Sequence, residues 1–548
     1  MTTTAVNRVD DAAAEGVAAR EHTAPTMPLW EKALLALGLL VGALMLLVAP
    51  EAKPIWTDES ISIEWGQRSL GDILMGRATS PDALPLHPLL IHTTKALFGH
   101  SLAAYRLASA LPAAIGLWFV WKLGARNGRH VGLLALWLAA LSPGLILFDR
   151  MSRYHGLTAL LVTASVYMAL RALETGRRRD TLLYAVTTFL MLMSYVLSVF
   201  VVAAQFAVLV LRWKREPHAA KVFLGLVGAC AVFAPFLLRN VMAAQTGGMT
   251  QTFVEDPTVG LGLRGFLFRF ALPAYVFSVG ETVYPWNWAV SVPGLLASAA
   301  AFVAGFWALR KRPDLMVPLG ALFVVLLAAA ATSGKFGASQ TVGSMAKRVS
   351  FALPLFCVTL ATGALSFRAA PVRAVLAGIL LLVSAVSVRN YWAGEQFLNP
   401  NYTAPWGEVV RTIREKRLDP DTLVVSRGEL ALEFYLKRAV PDARYADIRD
   451  EATLRESLEA SDAPPRYVWI VGRDRGDRIA VGGFEEARDY LAKNFARVAA
   501  EGALPRTETE TRWLERVFKR PASRHYIEME LYDTATPARR EEGTLLAP

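Results

Sequence analysis

Long apolar runs dominate the first 392 residues of the chain. The first run, Leu29 to Ala49, has the roughly 20 residues that a helix needs to cross the hydrocarbon core of a bilayer. The further runs lie near residues 101–121, 131–148, 155–170, 181–211, 221–239, 287–309, 315–332, 349–366 and 372–390. This pattern predicts a polytopic α-helical membrane protein.

The run at 181–211 predicts two helices rather than one. At about 1.5 Å per residue, one helix of this length overshoots a hydrocarbon core of about 30 Å. Basic clusters flank the run on both sides, and Lys/Arg-rich short loops stay in the cytoplasm. We therefore expect a turn near Ser194–Ser198, about eleven transmembrane helices and a cytoplasmic N-terminus.

The chain beyond residue 392 has a different pattern. Helix-like stretches alternate with short apolar strands such as Leu423–Ser426 and Tyr467–Val471, which indicates an α/β domain. With the topology above, this domain lies on the extracytoplasmic side. The predicted organisation is a disordered cytoplasmic tail at 1–28, a transmembrane domain at 29–392 with outer loops at 50–100 and 241–286, and an extracytoplasmic α/β domain at 393–548.

Composition and charge exclude several classes of protein. Hydrophobic residues make up 54% and charged residues 19% of the chain, whereas soluble domains carry about 25% charged residues. Cys230 and Cys357 are the two cysteines, too few for a disulfide framework. Residues 395–548 hold 25 Lys and Arg against 28 Asp and Glu, so the net charge of +11 arises among the apolar runs. This charge distribution indicates membrane topology rather than nucleic-acid binding.

An acidic pair, Asp58 and Glu59, follows the first run on the predicted outer side. A carboxylate near a low dielectric is unfavourable unless it is paired or has a function. In the alternative interpretation, Thr57 or Asp58 is the N-cap of a helix that continues through Trp65. The two interpretations are compatible.

Two arginines, Arg150 and Arg153, lie at the predicted outer end of the third run. Their i,i+3 spacing places them on one helix face, and their outer position opposes the positive-inside trend. A guanidinium matches the geometry of a lipid phosphate. Pairing with Asp149, or extension of the side chains to the headgroups, is the alternative explanation.

Further basic residues lie on the same predicted side. His87 precedes a proline at a helix start, where it is either a hydrogen-bonded packing residue or a contact for phosphate or a proton. His87, His92 and His100 lack the spacing of a zinc site. Lys347 and Arg348 begin a later run, and they are either interface anchors or part of an electropositive rim.

Four stretches of the chain resemble the GT-C superfamily of membrane glycosyltransferases. The resemblance covers residues 29–240 and, more loosely, 340–440 around Lys347-Arg348 and Trp406. Leu89, Met151 and His155 depart from the family pattern, which has Pro, Glu and often Tyr there, so Asp149 is the nearest substitute for the missing acid. The matching stretches are Asp58-Glu59, His87-Pro88-Leu89-Leu90, Tyr105-Arg106-Leu107-Ala108-Ser109 and Arg150 to Leu157.

The most similar branch holds protein O-mannosyltransferases, lipid A aminoarabinose transferases and RgtA/B/C/D-like bacterial enzymes. It implies transfer of a sugar from a polyprenyl-phosphate donor to an acceptor hydroxyl, with inversion. Asp58 is then the general base and Glu59 positions it or the acceptor. The donor phosphate would be bound by His87, Arg150, Arg153, Lys347 and Arg348. Acceptor-binding or supporting roles fall to Asp149, Tyr154 and His155.

The resemblance also implies the surroundings of the enzyme. The partners are the lipid bilayer, the polyprenyl-phosphate sugar donor and a glycolipid, glycan or protein acceptor; lipopolysaccharide modification is one such role. No metal and no other cofactor is expected, because divalent ions serve the related enzymes that use pyrophosphate donors. The implied location is a bacterial inner membrane with a periplasmic C-terminal domain.

Two other functions fit part of the pattern. A transporter or flippase of polyprenyl-linked sugars would also have about eleven spans and outer arginines. Transporters, however, often carry acids at mid-membrane, and the central parts of these runs contain almost no ionisable residues. A structural or sensor protein would place its function in the α/β domain, but the outer loops are rich in charged and aromatic residues such as Trp56, Trp65, Tyr284 and Trp286.

Overall fold

The computed structural model forms two units, which we call the helical unit and the α/β unit. The helical unit comprises Met1–Glu51 and Ser62–Leu398, and the α/β unit comprises Ala52–Ile61 and Asn399–Pro548. The ten residues at 52–61 thus belong to the same unit as the C-terminal part of the chain. The structure describes residues 27–75, 84–246, 262–310, 320–327, 345–460, 464–473, 482–518 and 523–538.

Helices make up the helical unit, and the residues at 320–327 are helical as well. The predicted tail at 1–28 lies almost wholly outside the described residues, as do 76–83 and 247–261 of the predicted outer loops. The helices are α1 (Leu29–Leu47), α2 (Thr57–Gln67, which begins in the α/β unit), α3 (Leu70–Leu74), α4 (Leu86–Phe98), α5 (Leu102–Ala125), α6 (Arg129–Ala140), α7 (Pro143–Asp149), α8 (His155–Thr175), α9 (Arg178–Ser194), α10 (Val199–Arg212), α11 (Ala219–Thr246), α12 (Gly262–Ser278), α13 (Trp288–Leu309), α14 (Met345–Arg348), α15 (Leu353–Ser366) and α16 (Ala370–Ala393).

Six helical segments in the described ranges are long and apolar enough to cross a bilayer. They are α1, α5, α8, Ala219–Arg239 of α11, α13 and α16. Helices α6 and α7, bent by 54° at their junction, make a seventh if they count as one span. The chain is therefore a membrane protein, and the number of eleven spans stays a prediction.

The predicted break in the run at 181–211 is confirmed. Helix α9 ends at Ser194, a 3-10 turn follows at Val196–Ser198, and α10 begins at Val199. The Ser198 hydroxyl is hydrogen-bonded to the carbonyl oxygens of Met191, at 3.0 Å, and Tyr195, at 2.7 Å. The Ser198 hydroxyl thus satisfies the Met191 carbonyl oxygen in the last turn of α9, where carbonyl groups lack helical donors.

Local signals set the ends of the helices around residues 140–176. The Ser142 hydroxyl accepts a hydrogen bond from the Leu145 amide at 3.3 Å, and Pro143 is the first residue of α7; both are favoured at helix starts. Gly176 ends α8 in the left-handed region, with φ of +61°, which glycine adopts without strain. These ends leave residues 150–154 as a short link between α7 and α8.

Small residues bring the helices close together. A Cβ atom at Gly363 in α15 would collide with the Ala301 carbonyl oxygen of α13. A Cβ atom at Gly156 in α8 would likewise collide with the Ser109 carbonyl oxygen of α5. Such close approach is typical of helix packing in membranes. It places the beginning of α8 directly against α5.

The α/β unit contains a five-stranded mixed sheet. Strands β2 and β3 pair with β1 in parallel, whereas β5 pairs antiparallel with β3 and β4. The strand order is β2-β1-β3-β5-β4. The elements are α17 (Trp406–Lys416), β1 (Thr422–Ser426), α18 (Leu430–Ala439), β2 (Arg444–Asp447), α19 (Glu451–Glu459), β3 (Tyr467–Arg473), α20 (Gly482–Asn494), β4 (Phe495–Pro505), α21 (Glu508–Phe518) and β5 (His525–Pro537).

One face of the sheet carries an apolar core. Alternate residues of β1 and β3, such as Leu423 and Val468, are buried together with side chains of α19 and α20, such as Leu454 and Leu491. Because side chains alternate between the faces of a strand, this face is defined by every second residue. The apolar stretches from which strands were predicted coincide with β1 and β3.

Candidate functional site

Residues 149–155 form a polar segment that is buried within the helical unit. Asp149, Arg150, Ser152, Arg153 and His155 are all buried. A buried ionised group needs hydrogen bonds or a countercharge. The partners of each side chain therefore show which of these residues support the fold and which form a site.

Arg153 lies at the centre of a hydrogen-bonded cluster from several elements. Its Nη1 atom donates to the Ser62 hydroxyl of α2 at 2.9 Å. Its carbonyl oxygen accepts a hydrogen bond from the Ser109 hydroxyl of α5. The Ser109 hydroxyl also lies 3.0 Å from Nε2 of His87 in α4. The structure therefore brings together His87 and Arg153, two of the five residues predicted to bind the donor phosphate.

His87 is neutral in this environment. Burial, reinforced by the positive charge of Arg153, lowers the pKa of His87 from 6.5 to about 3. A neutral imidazole has one N–H donor and one acceptor nitrogen. His87 can therefore hydrogen-bond to a phosphate or to Ser109, but at neutral pH it adds no positive charge.

Arg150 has a different set of contacts from Arg153. Its guanidinium donates to the carbonyl oxygens of Met45, Leu46 and Ala49, at 2.6 to 3.3 Å. It also lies 4.7 Å from the centre of the Trp392 ring. These carbonyl groups at the end of α1 have no helical donors, so Arg150 caps the first span. Its proposed contact with a donor phosphate stays a prediction.

A second capping arginine escaped the sequence analysis. Arg106, in α5, is buried, and its Nη1 atom donates to the Pro50 carbonyl oxygen at 2.5 Å. The sequence analysis noted Arg106 only as part of a matching stretch. Its position at the predicted outer end of an apolar run was a signal of the same kind as that of Arg150.

Tyr154 and His155 link this segment to later parts of the chain. The Tyr154 ring stacks on Tyr195, with 4.1 Å between ring centres. His155 Nδ1 lies 3.4 Å from the Ser350 hydroxyl, which donates to the Lys347 carbonyl oxygen at 2.8 Å. Lys347 is buried and Arg348 is half-buried. Tyr154 and His155 thus have packing partners, while acceptor binding by either residue stays a prediction.

The acidic pair lies in the first turn of α2, in the α/β unit. Glu59 is buried, and its Oε2 atom accepts from the Trp56 amide at 3.4 Å. A carboxylate at the third helical position often reaches back in this way to the residue before the helix. Glu59 thus caps the start of α2, and capping by Thr57 or Asp58 stays a prediction. Asp58 is half-buried.

Residues 80–238 match the family model described as dolichyl-phosphate-mannose-protein mannosyltransferase. The fold is similar to the crystal structure of apo ArnT from Cupriavidus metallidurans, with a TM-score of 0.50 and 13% identity over 83% of this chain and 94% of that one. The family match and the shared fold support the expected resemblance to the GT-C superfamily. The apo oligosaccharyltransferase of Archaeoglobus fulgidus is also similar in fold, with a TM-score of 0.50 and 12% identity over 85% of this chain and 73% of that one. No curated protein matches.

The matched range takes in part of the candidate site. It includes His87 and the whole of the segment 149–155, and it excludes Asp58-Glu59 and Lys347-Arg348. Across the ranges that the structure describes, no group of three or more His, Cys, Asp or Glu side chains is arranged to hold a metal ion.

Glu281 is a buried acid of the helical unit that the sequence analysis missed. Its side chain is 1% exposed, and its Oε2 atom has no hydrogen-bond partner among the described residues. Burial raises the pKa of Glu281 to about 8, although the charge of Lys347 acts in the opposite direction. An acid between two apolar runs was a usable signal, but only the nearby aromatic residues Tyr284 and Trp286 were considered.

The loop that carries Glu281 is held firmly against α16. The Thr282 hydroxyl donates to the Ser387 carbonyl oxygen at 2.6 Å, and the Asn390 amide nitrogen donates to the Thr282 carbonyl oxygen at 2.8 Å. Gly280 has φ of +107° and no room for a Cβ atom. These contacts fix the loop so that Glu281 lies within electrostatic reach of Lys347.

Proposed function

We propose that this protein is a membrane glycosyltransferase that transfers a sugar from a polyprenyl-phosphate donor to an acceptor hydroxyl, with inversion. The observation that carries this proposal is the buried cluster of Arg153, Ser109 and His87 at the ends of apolar helices. The matching family model, named for enzymes that use dolichyl-phosphate mannose, supports the same class of donor.

The charges of the helical unit favour the extracytoplasmic side for this chemistry. Arg106 and Arg153 lie near the beginnings of α5 and α8, and Arg150 holds the end of α1. The opposite ends of α5 and α8 lead into loops with Arg126 and Arg177, and short Lys/Arg-rich loops stay in the cytoplasm. We place the site at the periplasmic face of a bacterial inner membrane, with residues 393–548 also outside.

Phosphate binding falls to the buried cations. A positive charge acts more strongly in a buried, low-dielectric site than in water. As the sugar leaves, negative charge builds up on the lipid phosphate, so Arg153 and Lys347 would stabilise the transition state more than the bound donor. The neutral His87 would contribute a hydrogen bond, with Arg348 at the edge of the site.

Asp58 is the proposed general base. Asp58 is half-buried at the start of α2, next to Glu59, whose carboxylate accepts a hydrogen bond from the Trp56 amide. Asp58 lies one turn before Ser62 in α2, and the Ser62 hydroxyl accepts a hydrogen bond from Arg153. In the reaction the acceptor oxygen bonds to the anomeric carbon, the bond from that carbon to the phosphate oxygen breaks, and the acceptor proton passes to Asp58.

Release of polyprenyl phosphate by the purified full-length protein tests this function. The protein, in lipid nanodiscs, would receive a mixture of polyprenyl-phosphate sugars together with glycolipid, glycan or protein acceptors. We expect Asp58→Asn to lower the release at least a hundredfold, the order of effect of a general base. Glu64→Gln changes an exposed acid on the same helix and should retain wild-type release.

Two results would contradict the proposal. Wild-type activity of Asp58→Asn would remove Asp58 as the base. Movement of intact lipid-linked sugar across a vesicle membrane, without any release of polyprenyl phosphate, would instead support the transporter alternative.

A further inference from the structure

The segment 52–61 of the first predicted outer loop is built into the C-terminal unit. The Ile55 amide donates to the Tyr435 hydroxyl at 3.1 Å. The Trp56 ring packs edge-on against Tyr402, with 5.3 Å between ring centres. Ile55 and Trp56 are both buried. The α/β unit therefore holds the residues that directly precede Asp58.

A buried network connects the two tyrosines. The Glu429 carboxylate, immediately before α18, accepts from Nε of Arg473 at the end of β3. Arg473 also donates to the side-chain oxygen of Asn401, which lies in the 3-10 turn Pro400–Thr403 with Tyr402. Tyr435 belongs to α18. One ion pair thus joins the helix that carries Tyr435 to the turn that carries Tyr402.

The position of this network in the sheet is typical of functional groups. Strands β1 and β3 are adjacent and parallel, and Glu429 and Arg473 lie just beyond or at their carboxyl ends. In α/β sheets, functional residues gather at this edge. A buried ion pair adds little net stability because desolvation offsets the attraction. We infer that the pair of Glu429 and Arg473 instead fixes the position of α18 relative to the turn Pro400–Thr403.

We propose that the α/β unit positions the catalytic acid, with Tyr435 and Tyr402 as positioning residues that fix the start of α2. The inference rests on the proposed function, because it takes Asp58 as the base. It gives the C-terminal unit a direct part in the reaction. Loss of the Tyr435 hydroxyl would remove the hydrogen bond to the Ile55 amide. The carboxylate of Asp58, three residues further along the chain, would then shift.

The test compares Tyr435→Phe with Tyr445→Phe in the full-length protein. Tyr445 is a matched control, since its hydroxyl bonds to Ser426 in the same unit and not to the segment 52–61. We expect Tyr435→Phe to lower kcat about tenfold, since small misplacements of a catalytic group have effects of this order or larger. The KM for the donor should stay unchanged, because Arg153 and Lys347 are untouched.

Hydrogen exchange measured by mass spectrometry gives a second readout that does not depend on activity. Tyr435→Phe should speed amide exchange in the peptide that contains 52–61, whereas Tyr445→Phe should leave that peptide unchanged. Equal melting temperatures of the two variants would show that neither variant acts through general destabilisation.

The outcomes separate this inference from the proposed function. If Tyr435→Phe has wild-type kcat or wild-type exchange at 52–61 while Asp58→Asn is inactive, the positioning role is wrong and the proposed function stands. If kcat and donor KM change together to the same extent in both tyrosine variants, the positioning role is also wrong. If Asp58→Asn is fully active, both the function and the inference fall.

Discussion

Replacement of Glu281 by Gln tests the environment of the buried acid in the helical unit. The pKa of Glu281 is about 8 in the folded chain, against 4.5 for an ordinary glutamate. Between pH 4.5 and about pH 8, Glu281 is ionised in the unfolded chain and protonated in the folded chain. The free energy of unfolding therefore falls as pH rises through this window, and the whole penalty is present above pH 8.

The size of the effect follows from the shift in pKa. Each unit corresponds to about 1.36 kcal/mol, so a rise from 4.5 to about 8 predicts a penalty of about 5 kcal/mol at pH 9. Glutamine has nearly the same shape and does not titrate. Glu281→Gln should therefore be more stable than the wild type at pH 9, and the two should be nearly equal at pH 5.

Thermal unfolding of the detergent-purified protein at pH 5 and pH 9 measures this difference. Glu395→Gln is the control, because Glu395 is exposed and paired with Arg389 at the surface, where ion pairs contribute little. If the difference in melting temperature between Glu281→Gln and the wild type is the same at both pH values, Glu281 does not titrate as described and the reasoning is wrong.

The remaining predictions concern a polar contact and a helix crossing. His87→Gln should keep more polyprenyl-phosphate release than His87→Ala, because glutamine can still bond to Ser109; equal losses would refute the hydrogen-bonding role. Gly363→Ala should abolish the monodisperse peak in size-exclusion chromatography through collision with Ala301. Gly378→Ala, in open space on α16, should behave as the wild type, and an intact Gly363→Ala peak would contradict the close crossing.

Sequence patterns predicted the features that depend on local physics. The length of the run at 181–211 and its flanking charges were enough to predict two helices, because hydrocarbon thickness and loop charge act on each segment separately. Arg150 and Arg153, on the predicted outer side, were recognised for the same reason. Arg153 does lie in a polar cluster with His87.

Contacts between distant segments could not be read from the sequence. Arg150 and Arg153 have the same residue type and similar flanks, yet one caps α1 and the other bonds to Ser62. Ser62 lies outside the matching stretches, and Ser109 is only the last residue of one, with no role predicted for its hydroxyl. The burial of Glu281 depends on α16, about a hundred residues later in the chain.

The separation of the site residues along the chain has a consequence for biogenesis. Ser350, which lies beside His155, is encoded almost 200 residues later. At about 5 to 20 residues per second, a ribosome needs roughly 10 to 40 s to make the stretch between them. During that interval the nascent chain holds His155 without its hydrogen-bond partner Ser350. We expect chains truncated before residue 350 to lack this contact and to pack incompletely around the segment 149–155.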